Sequence, residues 1–349
     1  MSEMNSAGKP LVSILIPAFN AGEWIADTLR SAIDQTWENK EIIVVDDGST
    51  DNTLEIARQF ESEGVRVHTQ TNRGAAATRN QAFALCNGEY IQWLDADDLL
   101  SADKIGRQVE VLRSLSSRRT LASSAWGQFL YRPQRTEFRS TALWCDLPPA
   151  EWLVRKMAQN LHMQTGTWLV SRELTEAAGP WNTQLLGDDD GEYFCRVLLA
   201  SDGVRFVPEA RVYYRASGTS SLSYIGRSQR KMEAQWKSMQ MHVQYLRSLE
   251  DSERTRAACV QYLQNWLIFF YPERLDLVQQ AQELAAVLGG ALHTPQLSWK
   301  YSWMERLFGW HFAKRAQQIL PSTRWSVQRF VDKQLASLDS GKKRSSGIA

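Results

Sequence analysis

Two apolar segments of this chain stop abruptly at clusters of acidic residues. The first reads Ile-Ile-Val-Val and ends at Asp46 and Asp47, and the second reads Tyr-Ile-Gln-Trp-Leu and ends at Asp95 and Asp97. Runs of this kind are typical of strands that are buried on both faces, as in a parallel sheet. In open α/β sheets, ligands bind just beyond the carboxyl ends of the strands. The two acidic ends therefore predict one pocket that holds a metal ion and a nucleotide.

Residues 11–100 alternate between strand and helix patterns. The predicted elements are strands at Leu11–Pro17, Ile42–Val45, Val65–Thr69 and Tyr90–Leu94, and helices at Glu23–Gln35, Thr53–Phe60 and Ala75–Leu85. This βαβαβαβ order predicts the α/β class, with a doubly wound, mainly parallel sheet.

Residues 101–225 have a mixed pattern. The predicted elements are helices at Lys104–Leu115 and Glu192–Ala200, and strands at Leu121–Tyr131, Thr165–Ser171 and Val204–Tyr214. After about residue 226 the apolar residues follow a helical period, as at Met232, Trp236 and Met239. We expect a flexible N-terminus at 1–10, one domain at 11–225, a helical C-terminal extension at 226–338 and a disordered tail at 339–349.

Charge is unevenly distributed along the 349 residues, although the formal net charge is only +1. Residues 300–344 contain ten Lys and Arg against three Asp and Glu, so the body of the chain is acidic and its end is basic. The overall balance predicts no nucleic-acid partner. The first ten residues lack an apolar signal core, and the four cysteines have no metal-ligand spacing. We therefore expect a cytoplasmic protein with structural thiols.

Four segments, in this order and at this spacing, resemble the motifs of family 2 glycosyltransferases with the GT-A fold. They are Val12–Asn20, Val45–Asp51, Asn72–Asn80 and Asp95–Asp98, within a match over roughly residues 10–220. The resemblance implies a GT-A domain followed by the α-helical extension. It also implies an inverting transferase that uses a nucleotide-sugar donor, with a UDP-sugar favoured.

The resemblance gives the Asp-x-Asp pair a metal-binding role. Asp97 matches the metal-binding position, and Asp95 matches the position near the ribose or the metal. Mn²⁺ or Mg²⁺ is the expected ion, since such ions often use one or two protein carboxylates plus phosphate oxygens. The alternative is that these aspartates cap the next helix, which suits Asp98 best.

The nucleotide site is carried over from the same motifs. Asp47 matches the position that recognises the base, Asp46 supports its loop, and Arg79 matches an Arg near the nucleotide. The remaining nucleotide-side positions are Pro17, Phe19 and Asn20. Phe19 as a plain core aromatic and Arg79 as a solvated helix residue are the open alternatives.

A general base is needed to take the proton from an acceptor hydroxyl. The segment Gly187–Arg196 resembles the family motif in which an Arg lies six residues after the base, which points to Asp190. Asp189 is the rival, and an acidic turn that caps the next helix is the structural alternative.

One departure from the family pattern follows the last predicted strand. Many members have a His there, where this chain has Ser217. Arg215 is the candidate to contact the diphosphate instead. On the acceptor side, the resemblance points to His162, Gln164 and Trp168, although core packing is the better expectation for any single Trp.

The predicted activity is transfer of a sugar to a glycan or lipid-linked acceptor in surface polysaccharide, glycolipid or glycoprotein biosynthesis. The alternative is a catalytically degenerate nucleotide-sugar-binding or scaffold protein of the same fold. A nucleotidyltransferase is disfavoured because the loop after the first strand is not glycine-rich. The basic, Trp-rich residues 299–338 suggest a peripheral contact with the inner face of a membrane, against the favoured alternative that they complete the core.

Overall fold

The computed structural model describes residues 8–216 and 228–345. Ser217 and the two chain ends at 1–7 and 346–349 lie outside the described residues. The strands are β1 (Val12–Ala18), β2 (Lys40–Asp46), β3 (Val65–Thr69), β4 (Tyr90–Trp93), β5 (Leu99–Leu100), β6 (Thr120–Phe129), β7 (Val170–Ser171) and β8 (Gly203–Arg215). The helices are α1 (Ile25–Ile33), α2 (Thr53–Arg58), α3 (Ala75–Leu85), α4 (Lys104–Arg113), α5 (Pro149–Gln159), α6 (Arg172–Ala178), α7 (Asp189–Ala200), α8 (Gln229–Leu249), α9 (Glu253–Phe270), α10 (Leu275–Val287), α11 (Ser302–Phe308) and α12 (Trp310–Ser345).

The main sheet has five strands in the order β3-β2-β1-β4-β7. The first four are parallel neighbours, and only β7 runs antiparallel, against β4. Strand β1 lies between β2 and β4, so the strand order reverses at its carboxyl end, which is where ligands bind in sheets of this kind. The predicted α/β fold with a mainly parallel sheet is confirmed.

A second sheet of three strands, in the order β5-β8-β6, adjoins the same edge. Strand β5 pairs antiparallel with β8, with Leu99 opposite Tyr213. This pairing sets the acidic turn after β4 beside the end of β8. The second sheet therefore brings Tyr214 and Arg215 to the acidic strand ends.

The helices after residue 228 share a core with the α/β part of the chain. One continuous apolar cluster includes Leu15 on β1, Met157 on α5, Met239 on α8 and Leu263 on α9, and all four are buried. The thioether sulfur of Met157 lies 3.9 Å from the thiol sulfur of Cys259 on α9. The helical C-terminal region predicted from the sequence is therefore present, and its core is continuous with that of the preceding domain.

Helix α12 returns to the α/β part of the chain. Asp332 accepts hydrogen bonds from the Arg132 guanidinium, at 2.7 Å, and from the backbone N–H of Tyr131, at 3.0 Å. Lys333 pairs with Glu23 at 2.9 Å. The helix continues to Ser345, whereas disorder was predicted from residue 339. Residues 346–349 lie outside the described part of the chain, and the disordered tail at 339–349 stays a prediction.

Candidate active site

The loops that follow β1 and β2 are joined at the edge of the sheet. Ala18 lies opposite Asp46, and the backbone N–H of Asp47 donates to the Ala18 carbonyl at 2.8 Å. Asn20 has a left-handed backbone (φ 49°), and its side-chain oxygen accepts the N–H of Thr50 at 2.9 Å. Parallel pairing thus sets the predicted nucleotide-side residues together, from Pro17 at the end of β1 onward.

Phe19 projects from this edge and is 50% exposed. The alternative reading of Phe19 as a core aromatic is therefore wrong. An exposed ring at the carboxyl end of the central strand is available to stack on a planar ligand.

Asp46 and Asp47 are both buried, and both support loops. Asp47 accepts the backbone N–H groups of Arg73 and Gly74 at 2.9 and 2.8 Å, and the Gln70 amide at 2.7 Å. One oxygen of Asp46 accepts the Thr69 hydroxyl of β3 at 3.1 Å and the backbone N–H of Ser49, in the loop after β2, at 3.3 Å. Loop support by Asp46 agrees with the sequence expectation. Base recognition by Asp47 stays a prediction, and its carboxylate also holds the turn before α3.

Arg79 connects two parts of the site that are far apart in sequence. Its guanidinium pairs with Asp95 and with Asp189, each at 2.8 Å. It also lies over the Trp181 ring, 4.5 Å from the centroid, and the residue is only 6% exposed. The reading of Arg79 as a solvated helix residue is therefore wrong. A planar fork with several donors suits this double pairing better than a lysine would.

The turn after β4 is crowded with carboxylates. Asp98 is fully buried and accepts the backbone N–H of Arg215 at 2.8 Å. Burial, with the charges of Asp97 and Asp95, raises the pKa of Asp98 well above its usual range. The next helix begins at Lys104, so the alternative that these aspartates cap it is wrong.

A contact with a diphosphate would require the Arg215 side chain to extend toward open space. The side chain does not do so. Its guanidinium lies between the Trp24 and Phe129 rings, 4.4 and 4.5 Å from their centroids. It donates to the Asp97 carbonyl at 2.8 Å and to the Asp27 carboxylate at 3.1 Å. This differs from the sequence expectation because aromatic faces and protein oxygens already engage the cation. Arg215 supports the loop that presents Asp97.

The two candidate bases differ in their partners. Asp189 forms the ion pair with Arg79, whereas Asp190 accepts hydrogen bonds from two neutral donors, the Gly191 N–H at 2.9 Å and the Thr165 hydroxyl at 3.5 Å. Burial raises the pKa of Asp189 to about 6, against the opposing effect of Arg79. Burial and the neighbouring charge of Asp188 raise the pKa of Asp190, although its side chain keeps some solvent contact. A carboxylate held in this way is suited to accept a proton.

The region predicted to face the acceptor contains aromatic residues that were not predicted from the sequence. Trp168 is buried against Phe194, with ring centroids 5.2 Å apart, so it belongs to the core. His162 instead packs on Trp126 at 5.1 Å, and Trp126 meets Tyr214 edge-on at 6.1 Å. Burial and the charges of Asp98, Asp97 and Asp95 raise the pKa of the Tyr214 hydroxyl. Trp126 and Tyr214 could have been found from their positions near the ends of β6 and β8, because both strands reach the same edge of the sheet as the acidic turn.

Asp95 and Asp97 suit a metal site in which the substrate would supply the remaining ligands. Within residues 8–216 and 228–345, no three His, Cys, Asp or Glu side chains form a preformed cation site. Mg²⁺ and Mn²⁺ are commonly held by one or two carboxylates with the rest supplied by phosphate oxygens and water. Asp95 and Asp97 match that sparse donor set.

Comparison with known proteins identifies the domain. Residues 13–173 match the family model described as Glycosyl transferase family 2. The chain is 41% identical over 111 residues to the putative teichuronic acid biosynthesis glycosyltransferase TuaG of Bacillus subtilis, across 31% of this chain and 44% of that protein. It is 43% identical over 98 residues to chondroitin synthase of Escherichia coli, across 28% of this chain and 14% of that protein. The chain thus spans less than half the length of these curated relatives.

Solved structures show the same fold at low sequence identity. TarS 1-349 of S. aureus, in complex with UDP-GlcNAc, has a TM-score of 0.60 at 16% identity, over 78% of this chain and 79% of that chain. The mannosyltransferase PcManGT of Pyrobaculum calidifontis, in complex with GDP-Man and Mn²⁺, has a TM-score of 0.53 at 17% identity, over 94% and 89%. The mixed sheet with acidic strand ends therefore defines a GT-A protein. The part of the chain that matches glycosyltransferase family 2 is residues 13–173.

Proposed function

We propose that this protein is an inverting, metal-dependent glycosyltransferase that moves a sugar from a nucleotide-sugar donor to an acceptor hydroxyl. The observation that carries the proposal is the Arg79 bridge, which holds Asp95 and Asp189 at 2.8 Å each and so joins the metal side to the base side of one site. Structural scaffolding alone does not require three ionisable groups to meet at the switch point of the sheet.

Asp190 is the proposed general base. It would take the proton of the acceptor hydroxyl while that oxygen attacks the anomeric carbon from the side opposite the leaving nucleotide. In-line attack inverts the anomeric configuration, and the transition state is expected to resemble an oxocarbenium ion, as in glycoside hydrolysis. Asp189 would remain paired with Arg79 and keep that guanidinium in place.

The donor is proposed to be a UDP-sugar that lies across the ends of β1 and β2. Phe19 would stack on the base, while Asp47 would recognise it and hold the turn at Arg73. The UDP-GlcNAc complex of TarS supports this choice, because that protein shares the fold. The donor sugar and the linkage would follow from contacts beyond these residues.

Asp97 and Asp95 would hold a divalent cation, Mn²⁺ or Mg²⁺. When bound, such a cation neutralises charge on a departing diphosphate. The protein's own contribution is to present the two carboxylates on a rigid turn. Asp98 braces that turn by accepting the Arg215 N–H, and Arg215 braces it again through the Asp97 carbonyl.

Donor turnover tests the proposed function. Purified protein with Mn²⁺ is expected to release UDP slowly from one UDP-sugar, and faster when a suitable acceptor is added. The measurement is nucleoside diphosphate release across UDP-, GDP- and dTDP-sugars. Nucleotide-sugar binding without turnover of any donor would favour the degenerate binding protein instead. The relatives named for teichuronic acid and chondroitin synthesis support a surface polysaccharide as the class of acceptor.

A peripheral membrane contact is proposed for the basic C-terminal region. Several large apolar side chains there are at least half exposed, namely Trp299, Trp303, Leu307, Phe308, Phe312 and Phe330. The exposed cations Lys300, Arg306 and Arg315 lie among them. Lys314 and Lys333 instead face the protein, where they pair with Glu273 and Glu23, and the side chains of Trp325 and Val327 lie outside the described part. None of the described helices combines the length and hydropathy needed to cross a bilayer.

Liposome sedimentation tests this contact. The full chain is expected to sediment with anionic vesicles at low salt and to stay in solution with neutral ones, because basic and aromatic side chains at an interface favour anionic lipids. Replacing Trp303, Leu307 and Phe308 by Ser should abolish sedimentation, whereas the same change at the exposed polar residues Gln279, Gln282 and Glu283 of α10 should not. If the unaltered chain stays in solution with both vesicles, the region is structural.

A further inference from the structure

Asp188, which precedes the two candidate bases, has an unusual conformation and unusual partners. It occupies the position before the first turn of α7 with a left-handed backbone (φ 54°), yet its side chain makes no capping hydrogen bond to that helix. Among non-glycine residues, mainly Asn and Asp adopt this backbone conformation. Something other than helix capping must therefore hold the Asp188 carboxylate.

Helix α8, in the C-terminal region, supplies those partners. One oxygen of Asp188 accepts the Ser238 hydroxyl at 2.5 Å and the Gln235 amide at 3.3 Å. Gln235 and Ser238 are both buried, at 4% and 0% exposure. Buried polar side chains are stable when they form hydrogen bonds. Here the Asp188 carboxylate, from the preceding domain, accepts the hydrogen bonds of Gln235 and Ser238.

A second layer stands behind this contact. His242 on α8 lies 3.9 Å from the same Asp188 oxygen and 2.9 Å from the Tyr262 hydroxyl on α9. Burial lowers the pKa of His242 to about 3, so it is a neutral neighbour and not a counter-ion. One turn further along α8, the Tyr245 hydroxyl donates to Glu192 on α7 at 2.8 Å. Helix α8 thus contacts the start of α7 on both sides of the candidate bases.

Gly191 shows how tightly the carboxylate is packed. A Cβ atom at residue 191 would lie 2.0 Å from Oδ1 of Asp188. Any larger residue would displace Asp188 or the loop. The segment Gly187–Gly191 runs from the turn before α7 into the first turn of that helix and is here named the base loop. It is therefore fixed by a carboxylate that fills the space beside Gly191.

We infer that α8 is a positioning element for catalysis, and that Gln235 and Ser238 act through Asp188 to fix the base loop in the geometry that Asp190 needs. This inference rests on the proposed function and assigns a role to the C-terminal helices. Catalytic groups require support from a surrounding shell, and a displacement of about 1 Å can cost about 10²-fold in rate. Arg79 holds the opposite side of the loop through Asp189, so the loop is held from both domains.

A double-mutant cycle tests the inference. Ser238→Ala and Asp188→Asn are each expected to lower kcat by about 10- to 100-fold, and the double variant should lose little more than the more damaged single variant, because both act through one hydrogen bond. Asn keeps the left-handed backbone accessible at residue 188. UDP affinity and binding stoichiometry should stay at the wild-type values, which excludes loss through unfolded protein. Gln240→Ala, at an exposed position of α8, is the matched control and should be unchanged.

Hydrogen exchange gives a readout independent of turnover. Amides of residues 189–192 are expected to exchange faster in Ser238→Ala, while those of β1 keep wild-type rates. Unchanged exchange, or additive losses of kcat in the cycle, would overturn the inference and leave the proposed function standing. If wild-type protein turns over no donor, the proposed function fails, and exchange of the base loop alone decides whether α8 positions it.

Discussion

Asp190→Asn is expected to lower the rate of sugar transfer by about 10²–10⁴-fold, the usual contribution of a general base. The substitution keeps the shape of the side chain and removes its ability to accept the proton. Nucleotide affinity should stay within a few fold of wild type, since Asp190 accepts hydrogen bonds from Gly191 and Thr165, which are not on the nucleotide side. Initial rates of transfer, with UDP affinity measured by calorimetry, give both quantities.

Asp189→Asn is the matched comparison, because it makes the same change one residue earlier. It should break the ion pair with Arg79 and weaken donor binding together with turnover, since Arg79 also holds Asp95. A dead Asp189→Asn enzyme beside an active Asp190→Asn enzyme would show that the assignment is one residue out of register.

The pH dependence of the wild-type enzyme provides a further check on the base. Burial and the Asp188 charge raise the pKa of Asp190 above its ordinary value of 3.8. The base is active when deprotonated, so activity is expected to fall as the pH drops through this raised pKa and to be fully present above it. The acidic limb of the kcat profile should therefore lie at higher pH than a free aspartate would give, and Asp190→Asn should remove it.

The strands and helices of residues 11–100 could be predicted from local sequence patterns. The predicted bounds Val65–Thr69 and Ala75–Leu85 agree with β3 and α3. In this part of the chain strand and helix patterns alternate regularly, so that local propensity and the final fold agree. The helices α5 and α6 were missed, although Pro149 in the first turn of α5 was an available signal.

Residues 165–171 show where local pattern failed. A strand was predicted there, whereas the chain forms a short 3₁₀ turn followed by the two-residue strand β7. The carbonyls of Gly166 and Thr167 accept hydrogen bonds from the buried side chains of Gln92 and Gln108, at 2.8 and 2.9 Å. These partners replace a neighbouring strand, and their positions on β4 and α4 could not be inferred from the segment itself.

The candidate site shows the same division. The motifs at the strand ends predicted which residues belong to the site, but not how those residues pair. Arg79 and Asp189 are 110 positions apart, and Asp188 and Ser238 are 50 apart. Such contacts arise when helices from different parts of the chain pack on one sheet edge, so only the folded structure reveals that Arg79 bridges the site and that α8 supports it.

Asp97→Asn is expected to reduce donor turnover by more than about 100-fold, since even the supporting partners of metal ligands cost about 10–100-fold when changed. The substitution removes one negative charge from the pair that would hold the cation and leaves the turn intact, because Arg215 binds the Asp97 backbone carbonyl. The fold should be preserved. Turnover against Mn²⁺ concentration, and Mn²⁺ affinity in the presence of UDP measured by electron paramagnetic resonance, give two readouts.

Asp103→Asn is the control for the Asp97 variant. Asp103 lies six residues later, is 43% exposed and pairs with Arg107 on α4, so the same loss of charge there should leave the Mn²⁺ response unchanged. An Asp97→Asn enzyme with near wild-type activity at limiting Mn²⁺ would contradict the assignment. The loss of charge at Asp97 should therefore weaken Mn²⁺ binding, whereas the same loss of charge at Asp103 should not.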